Sequence, residues 1–177
     1  MESYTIHLGN LTRDLSLVAL GPKLKIASFN LLGDVELVEV CATLLFEKIK
    51  SLSFDYLIGP EVKIVPLLQE LSKRCGKNRY IVCRKKMHGY MTEPVTSSTS
   101  SPLTLNGPDG QLIKNKKVLV VDDVVSTGKT LAAVKNLMDM CQAQIVGFAA
   151  VAKQGDEPFE LLQHDFFYLI NLPLFRS

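Results

Sequence analysis

One stretch, residues 118–130, constrains the fold more than any other part of the chain. It opens with four apolar, mostly β-branched residues, Val118 to Val121, which are typical of a buried strand. Asp122 and Asp123 follow, and after them comes a loop of small hydroxyl residues that opens a predicted helix. In a parallel sheet, ligands bind beyond the carboxyl ends of the strands. The stretch therefore predicts an α/β fold with a ligand site at this strand end.

The loop of this stretch is suited to an anion. Hydroxyl and backbone N–H groups at the N-terminus of a helix can surround a phosphate. Carboxylates would repel that phosphate, so Asp122 and Asp123 are better suited to accept hydrogen bonds from neutral hydroxyls. A vicinal diol beside a phosphate describes ribose 5-phosphate, which is the ligand that this pattern predicts. The loop residues are Ser126, Thr127, Gly128, Lys129 and Thr130.

In these thirteen residues the chain resembles the signature of the type I phosphoribosyltransferases. The resemblance implies that Asp122 and Asp123 bind the ribose hydroxyls of phosphoribosyl pyrophosphate (PRPP), and that residues 126–130 hold its 5-phosphate. It also implies an α/β fold in which helices flank a mostly parallel central sheet, with a small hood and a flexible flap. We expect a single domain over residues 1–177. Its parts would be a hood segment at 1–33, a core at 34–170, and within that core a flap at 84–110.

Other motifs share parts of this stretch. Gly128-Lys129-Thr130 matches the end of a P-loop, but that motif requires a glycine where this chain has Asp123. The run from Val118 also resembles the first strand of a phosphorelay receiver domain, but too little chain follows Asp123 to supply the later phosphoacceptor strand. A strand whose aspartates merely cap a helix would leave the Ser-Thr-Gly-Lys-Thr loop unexplained.

A second predicted anion loop lies upstream. A strand at Phe54 to Ile58 breaks at Gly59 and leads through a short loop into a predicted helix, so amide groups again meet at a helix N-terminus. In the family that the chain resembles, the corresponding loop holds the pyrophosphate of PRPP, often through an unusual peptide bond. The resemblance assigns this role to four residues: Pro60, Glu61, Val62 and Lys63.

Three consecutive cations follow the next predicted strand, Tyr80 to Cys83. Arg84 and Lys85 begin a segment similar to the basic stretch that contacts the leaving pyrophosphate in this family. His88 stands where the second lysine is usual, which makes the charge at that position depend on pH. By this resemblance the catalytic residues are Arg84, Lys85, His88, Asp122 and Asp123.

Residues 92–110 are rich in Ser, Thr, Pro and Gly. The resemblance implies that they belong to the flap that closes over PRPP, with Leu103 to Leu105 forming one of its strands. A lid meets a physical need, because the sugar cation formed during transfer must be kept from water.

Before the flap, Asp34 is expected to cap a helix that runs to about Lys50.

The reaction implied is transfer of ribose 5-phosphate from PRPP to a purine base, adenine first, with release of pyrophosphate. A 6-oxopurine or orotate as the base, and a PRPP-sensing regulator with weak or no catalysis, are the alternatives. The implied cofactor is Mg²⁺, held by PRPP and water with Asp122 and Asp123 as the available protein ligands. The implied assembly is a homodimer.

Base recognition is expected from the hood and from a strand end. His7, Arg13, Phe29 and Asn30 are candidates to face the base, although surface or core packing would account for each one singly. Lys153 follows a predicted strand at Ile145 to Val151, where some relatives that use 6-oxopurines carry a lysine.

The net charge of +2 is nearly balanced, and the basic residues form no long stripe interleaved with aromatic residues. We therefore expect no nucleic-acid partner. The chain has no apolar run near the ~18 residues of a membrane span, and no leader pattern at Met1, so we expect no membrane association and a cytoplasmic protein. The four cysteines lack metal-type spacing and are interpreted as free thiols.

Overall fold

The computed structural model describes residues 2–155 and 164–176. A five-stranded parallel sheet forms the centre of this part of the chain, in the order β10-β9-β8-β4-β5. This confirms the predicted α/β fold with a parallel central sheet. The strands are β4 (Tyr56–Pro60), β5 (Tyr80–Cys83), β8 (Lys117–Val125), β9 (Gln144–Gln154) and β10 (Phe166–Leu172).

Helices cover both faces of this sheet. On one face, α1 (Val35–Ile49) and α2 (Val65–Arg74) bury their apolar stripes against β4, β9 and β10. On the other face, α3 (Gly107–Ile113) and α4 (Lys129–Met140) share a second apolar cluster with Ile58, Val120 and Phe148. Helix α1 begins as expected, because the carboxylate of Asp34 accepts a hydrogen bond from the Leu37 amide at 3.0 Å.

A small antiparallel sheet stands beside the core. Its order is β1-β2-β3-β11, with β1 (Ser3–Leu8), β2 (Leu11–Gly21) and β3 (Leu24–Ala27) from the start of the chain. The fourth strand, β11 (Leu174–Arg176), comes from the other end and pairs with β3. Inward residues such as Ile6, Leu8 and Leu15 join the apolar cluster of α1 and α2, which fixes this sheet on the core.

The segment between β5 and β8 contains more structure than its composition indicates. Strands β6 (Val95–Thr96) and β7 (Thr104–Leu105) form a short hairpin, in agreement with a predicted strand near Leu103 to Leu105. Helix α3 was not predicted, because its residues Gly107-Pro-Asp-Gly110 are common in turns. Proline is nevertheless favoured in the first turn of a helix, where its missing N–H costs nothing.

Candidate functional site

The carboxyl ends of four parallel strands define the site. Residues 60–63 comprise the last residue of β4 and the loop after it, the basic segment follows β5, and Asp122 and Asp123 lie near the end of β8. Lys153 lies at the end of β9 and pairs in register with Val125 of β8. A cavity of about 540 Å³ between α1 and α2 contains none of the predicted site residues. The strand ends, rather than that cavity, bring the predicted residues together.

The two aspartates differ in environment. Asp122 is 6% exposed, whereas Asp123 is half-buried. Burial, followed by the neighbouring charge of Asp123, raises the pKa of Asp122 well above its usual value, and Lys85 acts in the opposite direction. The strand continues to Val125, beyond the end that the sequence predicts, and the Asp123 amide donates to Asp122 Oδ1 at 2.8 Å. The negative charge of such a buried carboxylate is stabilised most by a nearby cation or by hydroxyl groups that donate hydrogen bonds to it.

The predicted phosphate loop has the backbone that an anion site needs. Gly128 adopts a φ of 73°, a left-handed conformation that favours glycine, and it is the residue from which α4 begins. No side chain caps this helix N-terminus. Thr127, Lys129 and Thr130 are exposed, and Ser126 is half-buried. The amides in the first turn of α4 have no acceptor within the helix, so they and the nearby hydroxyls are suited to bind an anion near Asp122 and Asp123.

Strand β4 continues through Gly59, where the sequence predicted its end, and at this point it is fitted tightly against β8. A Cβ atom on Gly59 would lie 2.4 Å from the Val121 carbonyl oxygen, so only glycine lets the two strands come this close. A cis peptide bond joins Glu61 to Val62, in keeping with the unusual peptide bond of this loop in the family that the sequence resembles. The Glu61 amide donates to the Cys83 carbonyl at 2.8 Å, which ties the loop to the end of β5.

The basic segment is held in place by this same loop. Arg84 Nε and the Glu61 carboxylate form an ion pair, and the Lys85 amide donates to Glu61 Oε1 at 2.7 Å. Arg84 Nη2 lies 3.3 Å from His88 Nε2. Because an arginine can only donate, this contact requires an acceptor lone pair on His88. The structure thus places His88 against Arg84, with its ring stacked on Tyr90.

These strand ends, the two predicted anion loops and the acidic pair all lie in a region that a family model matches. The family model described as "Phosphoribosyl transferase domain" matches residues 31–174, most of the chain. The chain belongs to the phosphoribosyl transferase domain family. The matched region includes every residue that the sequence analysis assigned to PRPP binding.

Curated relatives and solved structures of phosphoribosyltransferases indicate two purine classes. A hypoxanthine/guanine phosphoribosyltransferase of Methanothrix soehngenii is 32% identical over 113 residues, which cover 62% of this chain and 57% of the relative. An adenine phosphoribosyltransferase from Thermoanaerobacter pseudethanolicus is 20% identical with a TM-score of 0.75, covering 89% of this chain and 95% of that one. The chain thus spans little more than half the length of the curated relative.

A third phosphoribosyltransferase was solved with ligands. The adenine enzyme of Trypanosoma brucei, in complex with AMP, pyrophosphate and ribose-5-phosphate, is 17% identical with a TM-score of 0.64. The match covers 80% of this chain and 67% of that one. At these identities the solved structures establish the fold, which agrees with the central sheet and flanking helices described above.

The hood residues that the sequence analysis considered for base recognition have other partners in the structure. Arg13 donates to Asp34 at 2.7 and 3.1 Å and to Glu36 at 2.7 Å, so its guanidinium fastens β2 to the start of α1 rather than facing a base. His7 contacts Thr12 at 3.1 Å on the surface of the hood hairpin. Phe29 is buried in the core. Its carbonyl oxygen accepts a hydrogen bond from Lys63 Nζ at 3.1 Å, which links the hood to the loop after β4.

Sequence patterns missed the residues that hold the flap. Both backbone groups of Arg84 pair with Thr104 of β7 at 2.7 Å, which attaches the flap hairpin to the basic segment. At the tip, the Ser98 amide donates to Asn136 Oδ1 of α4 at 2.8 Å. Nothing local in the sequence marks Thr104 or Asn136, because each contact joins distant parts of the chain.

The donor set fits the Mg²⁺ that the phosphoribosyltransferase family implies. Among residues 2–155 and 164–176, no group of three or more His, Cys, Asp or Glu side chains could form a protein cage for a metal. The buried carboxylate of Asp122 and the neighbouring Asp123 would offer hard oxygen ligands to such an ion, which keeps several waters. Among the described helices, none is long and apolar enough to cross a membrane.

Proposed function

We propose that this protein transfers ribose 5-phosphate from PRPP to a purine base and releases pyrophosphate. The observation that carries this proposal is the meeting of two anion loops, a basic segment and an acidic pair at one edge of the sheet. PRPP has the complementary layout, with a phosphate at one end, a diol in the middle and a pyrophosphate at the other end. Membership of the family supports the same reaction.

The ribose 5-phosphate end of PRPP is assigned to β8 and α4. Residues 126–130 surround the 5-phosphate with amides and hydroxyls at the start of α4. Asp122 and Asp123 accept hydrogen bonds from the ribose hydroxyls, and both are available for a hydrated Mg²⁺. Hydroxyl donors and a cation each offset the energetic cost of burying the Asp122 charge.

The pyrophosphate end is assigned to the loop after β4 and the basic segment after β5. Pro60, Glu61, Val62 and Lys63 shape the first side, and the Lys63 ammonium, which donates to the Phe29 carbonyl, adds positive charge there. Arg84 and Lys85 form the second side and neutralise the leaving group. Mg²⁺ would supply further charge neutralisation to the pyrophosphate when it is bound with PRPP.

The protein accelerates the reaction by positioning and by charge stabilisation. Bond cleavage at the sugar carbon produces an oxocarbenium-like state, as in glycoside cleavage. The acidic pair holds the ribose in place while the cations stabilise the departing oxygens. The hairpin of β6 and β7 is attached to the basic segment through Thr104, and we assign to it the role of a lid that keeps water from the sugar cation.

The base is a purine, and two candidates follow from different observations. Adenine is the expectation from the sequence, and the structural relatives named above are adenine phosphoribosyltransferases. A 6-oxopurine is favoured by the curated relative, a hypoxanthine/guanine phosphoribosyltransferase. It is also favoured by the half-buried Lys153 at the end of β9, beside Asn171 of β10.

A PRPP sensor is the second candidate function. The lysine usual at the position of His88 is absent from the basic segment, and the His88 ring lies against Arg84 instead. A sensor would keep PRPP affinity without turnover.

We also propose a cytoplasmic homodimer. Met87 and Tyr90, 66% and 68% exposed, place apolar surface beside the basic segment, as a contact with a second copy would require. Sedimentation equilibrium tests this assembly: a monomer at all concentrations contradicts it.

The test is pyrophosphate release with PRPP and Mg²⁺ against adenine, hypoxanthine, guanine, xanthine, orotate and uracil. Turnover with one purine supports the proposal and names the base. PRPP binding without turnover on the whole panel favours the sensor. Calorimetry of Asp122→Asn plus Asp123→Asn provides the control for the site, because unchanged PRPP affinity would contradict the ribose assignment.

A further inference from the structure

We propose that Glu61 is a positioning residue that holds Arg84 and Lys85 in place for pyrophosphate. This inference rests on the proposed function and refines the role of one residue in the loop after β4. In the structure, the Glu61 carboxylate turns towards the basic segment, where each of its two oxygens has a partner. Its effect on pyrophosphate is therefore transmitted through Arg84 rather than by contact.

The contacts of Glu61 form a bridge between two strand ends. Oε2 pairs with Arg84 Nε, Oε1 accepts the Lys85 amide at 2.7 Å, and the Glu61 amide donates to the Cys83 carbonyl at 2.8 Å. The Glu61 side chain is 18% exposed and that of Arg84 is 32% exposed. An ion pair this well covered and combined with a backbone hydrogen bond fixes geometry better than an exposed surface pair does.

The rest of Arg84 is also restrained. Its backbone N–H and carbonyl both pair with Thr104 at 2.7 Å. Its guanidinium contacts Glu61 through Nε and His88 through Nη2. The long arginine side chain would otherwise lose conformational entropy when it binds the anion. Glu61 reduces that loss, because it keeps the guanidinium ordered before pyrophosphate arrives.

Electrostatics argue against direct contact between Glu61 and pyrophosphate. A carboxylate repels a polyanion, whereas a carboxylate already paired with Arg84 is largely neutralised. The basic segment follows β5, which only β4 separates from β8 and its acidic pair. Glu61 therefore joins the segment that carries the cations to the strand edge where the sugar is held.

The test is calorimetric binding of Mg²⁺-pyrophosphate and of ribose 5-phosphate to Glu61→Gln. Glutamine keeps an oxygen for the Lys85 amide but loses the charge that pairs with Arg84. We expect pyrophosphate affinity to fall about tenfold, because a partly buried ion pair is lost, while ribose 5-phosphate affinity stays unchanged. In turnover, kcat/KM for PRPP falls by a similar factor and the KM for the base does not change.

A matched control is Glu70→Gln. Glu70 is also a partly buried glutamate with cationic partners, 3.2 Å from Arg74 and 3.0 Å from Lys73, but it lies on α2 outside the proposed site. We expect this variant to bind pyrophosphate like the unaltered protein. An equal loss in both variants would show a general structural effect and would overturn the positioning role.

The double variant Glu61→Gln plus Arg84→Gln shows whether Glu61 acts through Arg84. If it does, Glu61→Gln causes no further loss of pyrophosphate affinity in the Arg84→Gln background. An undiminished further loss, or tighter binding by Glu61→Gln alone, overturns the inference while the proposed function stands. Absence of pyrophosphate and PRPP binding in the unaltered protein overturns the proposed function itself, and this inference with it.

Discussion

Gly59 allows β4 and β8 to lie side by side at the site, and Gly59→Ala is expected to force them apart. The added Cβ would stand 2.4 Å from the Val121 carbonyl oxygen, 3.1 Å from Ile64 Cγ2 and 3.2 Å from Leu68 Cδ1. Ordinary contact begins near 3.4 Å, so the backbone must move by about 1 Å at a place where neither strand has free space. Overpacking of this kind costs about 1–3 kcal/mol.

The assay is urea unfolding together with thermal unfolding. A loss of about 2 kcal/mol lowers the thermal midpoint of a chain of this size by about 4–8 °C. PRPP affinity should fall as well, because the shift separates the loop after β4 from Asp122. Gly21→Ala is the control: Gly21 is also a strand glycine, but its Cβ would meet nothing within 4 Å. Equal stability of the two variants, within about 0.5 kcal/mol, would refute the packing argument.

Three further substitutions test other parts of the site. The raised pKa of Asp122 means that this carboxyl destabilises the folded protein at pH 7, where it is ionised in the unfolded chain, but not near pH 3, where it is protonated in both states. Asp122→Asn should therefore raise the unfolding free energy at pH 7 but not near pH 3. An equal gain at both pH values in denaturant titrations would contradict this. Asn136→Ala should speed hydrogen exchange at the Ser98 amide about fivefold, and unchanged exchange would disprove the attachment of the flap. Gly128→Ala should lower the free energy of unfolding by about 1 kcal/mol, because alanine is strained at the φ of 73°. It should also weaken ribose 5-phosphate binding, which calorimetry measures, and full affinity would count against this phosphate loop.

Local patterns predicted the parts of the fold that depend on local physics. The β-branched run before Asp122, the Asp34 cap and the apolar stripe of α1 each formed the expected element. Helix α3 was missed because its residues are common in turns; in the structure Gly107 packs against the Thr92 carbonyl oxygen, which a Cβ would approach to 2.5 Å. That contact is tertiary and leaves no local pattern.

The side-chain partners in the site depend on contacts between distant residues. Lys85 and Glu61 are 24 residues apart, Lys63 and Phe29 are 34 apart, and Ser98 and Asn136 are 38 apart. The residue types at the strand ends could be predicted, because parallel strands bring their carboxyl ends to one edge. Their pairing could not, since the sequence does not show that the Glu61 carboxylate turns towards Arg84.

Base selectivity can be separated from PRPP binding at Lys153. This residue lies on β9, in register with Val125 of β8 and Asn171 of β10, one residue before the strand ends. A lysine ammonium only donates, so it suits the 6-oxygen of hypoxanthine or guanine and opposes the 6-amino group of adenine. For a 6-oxopurine substrate, Lys153→Met should therefore raise the KM for hypoxanthine about tenfold, as for loss of a charged hydrogen bond, and leave the KM for PRPP unchanged. With adenine as substrate, the same variant should keep or improve turnover. An equal rise in the KM for PRPP would place Lys153 at the sugar rather than at the base.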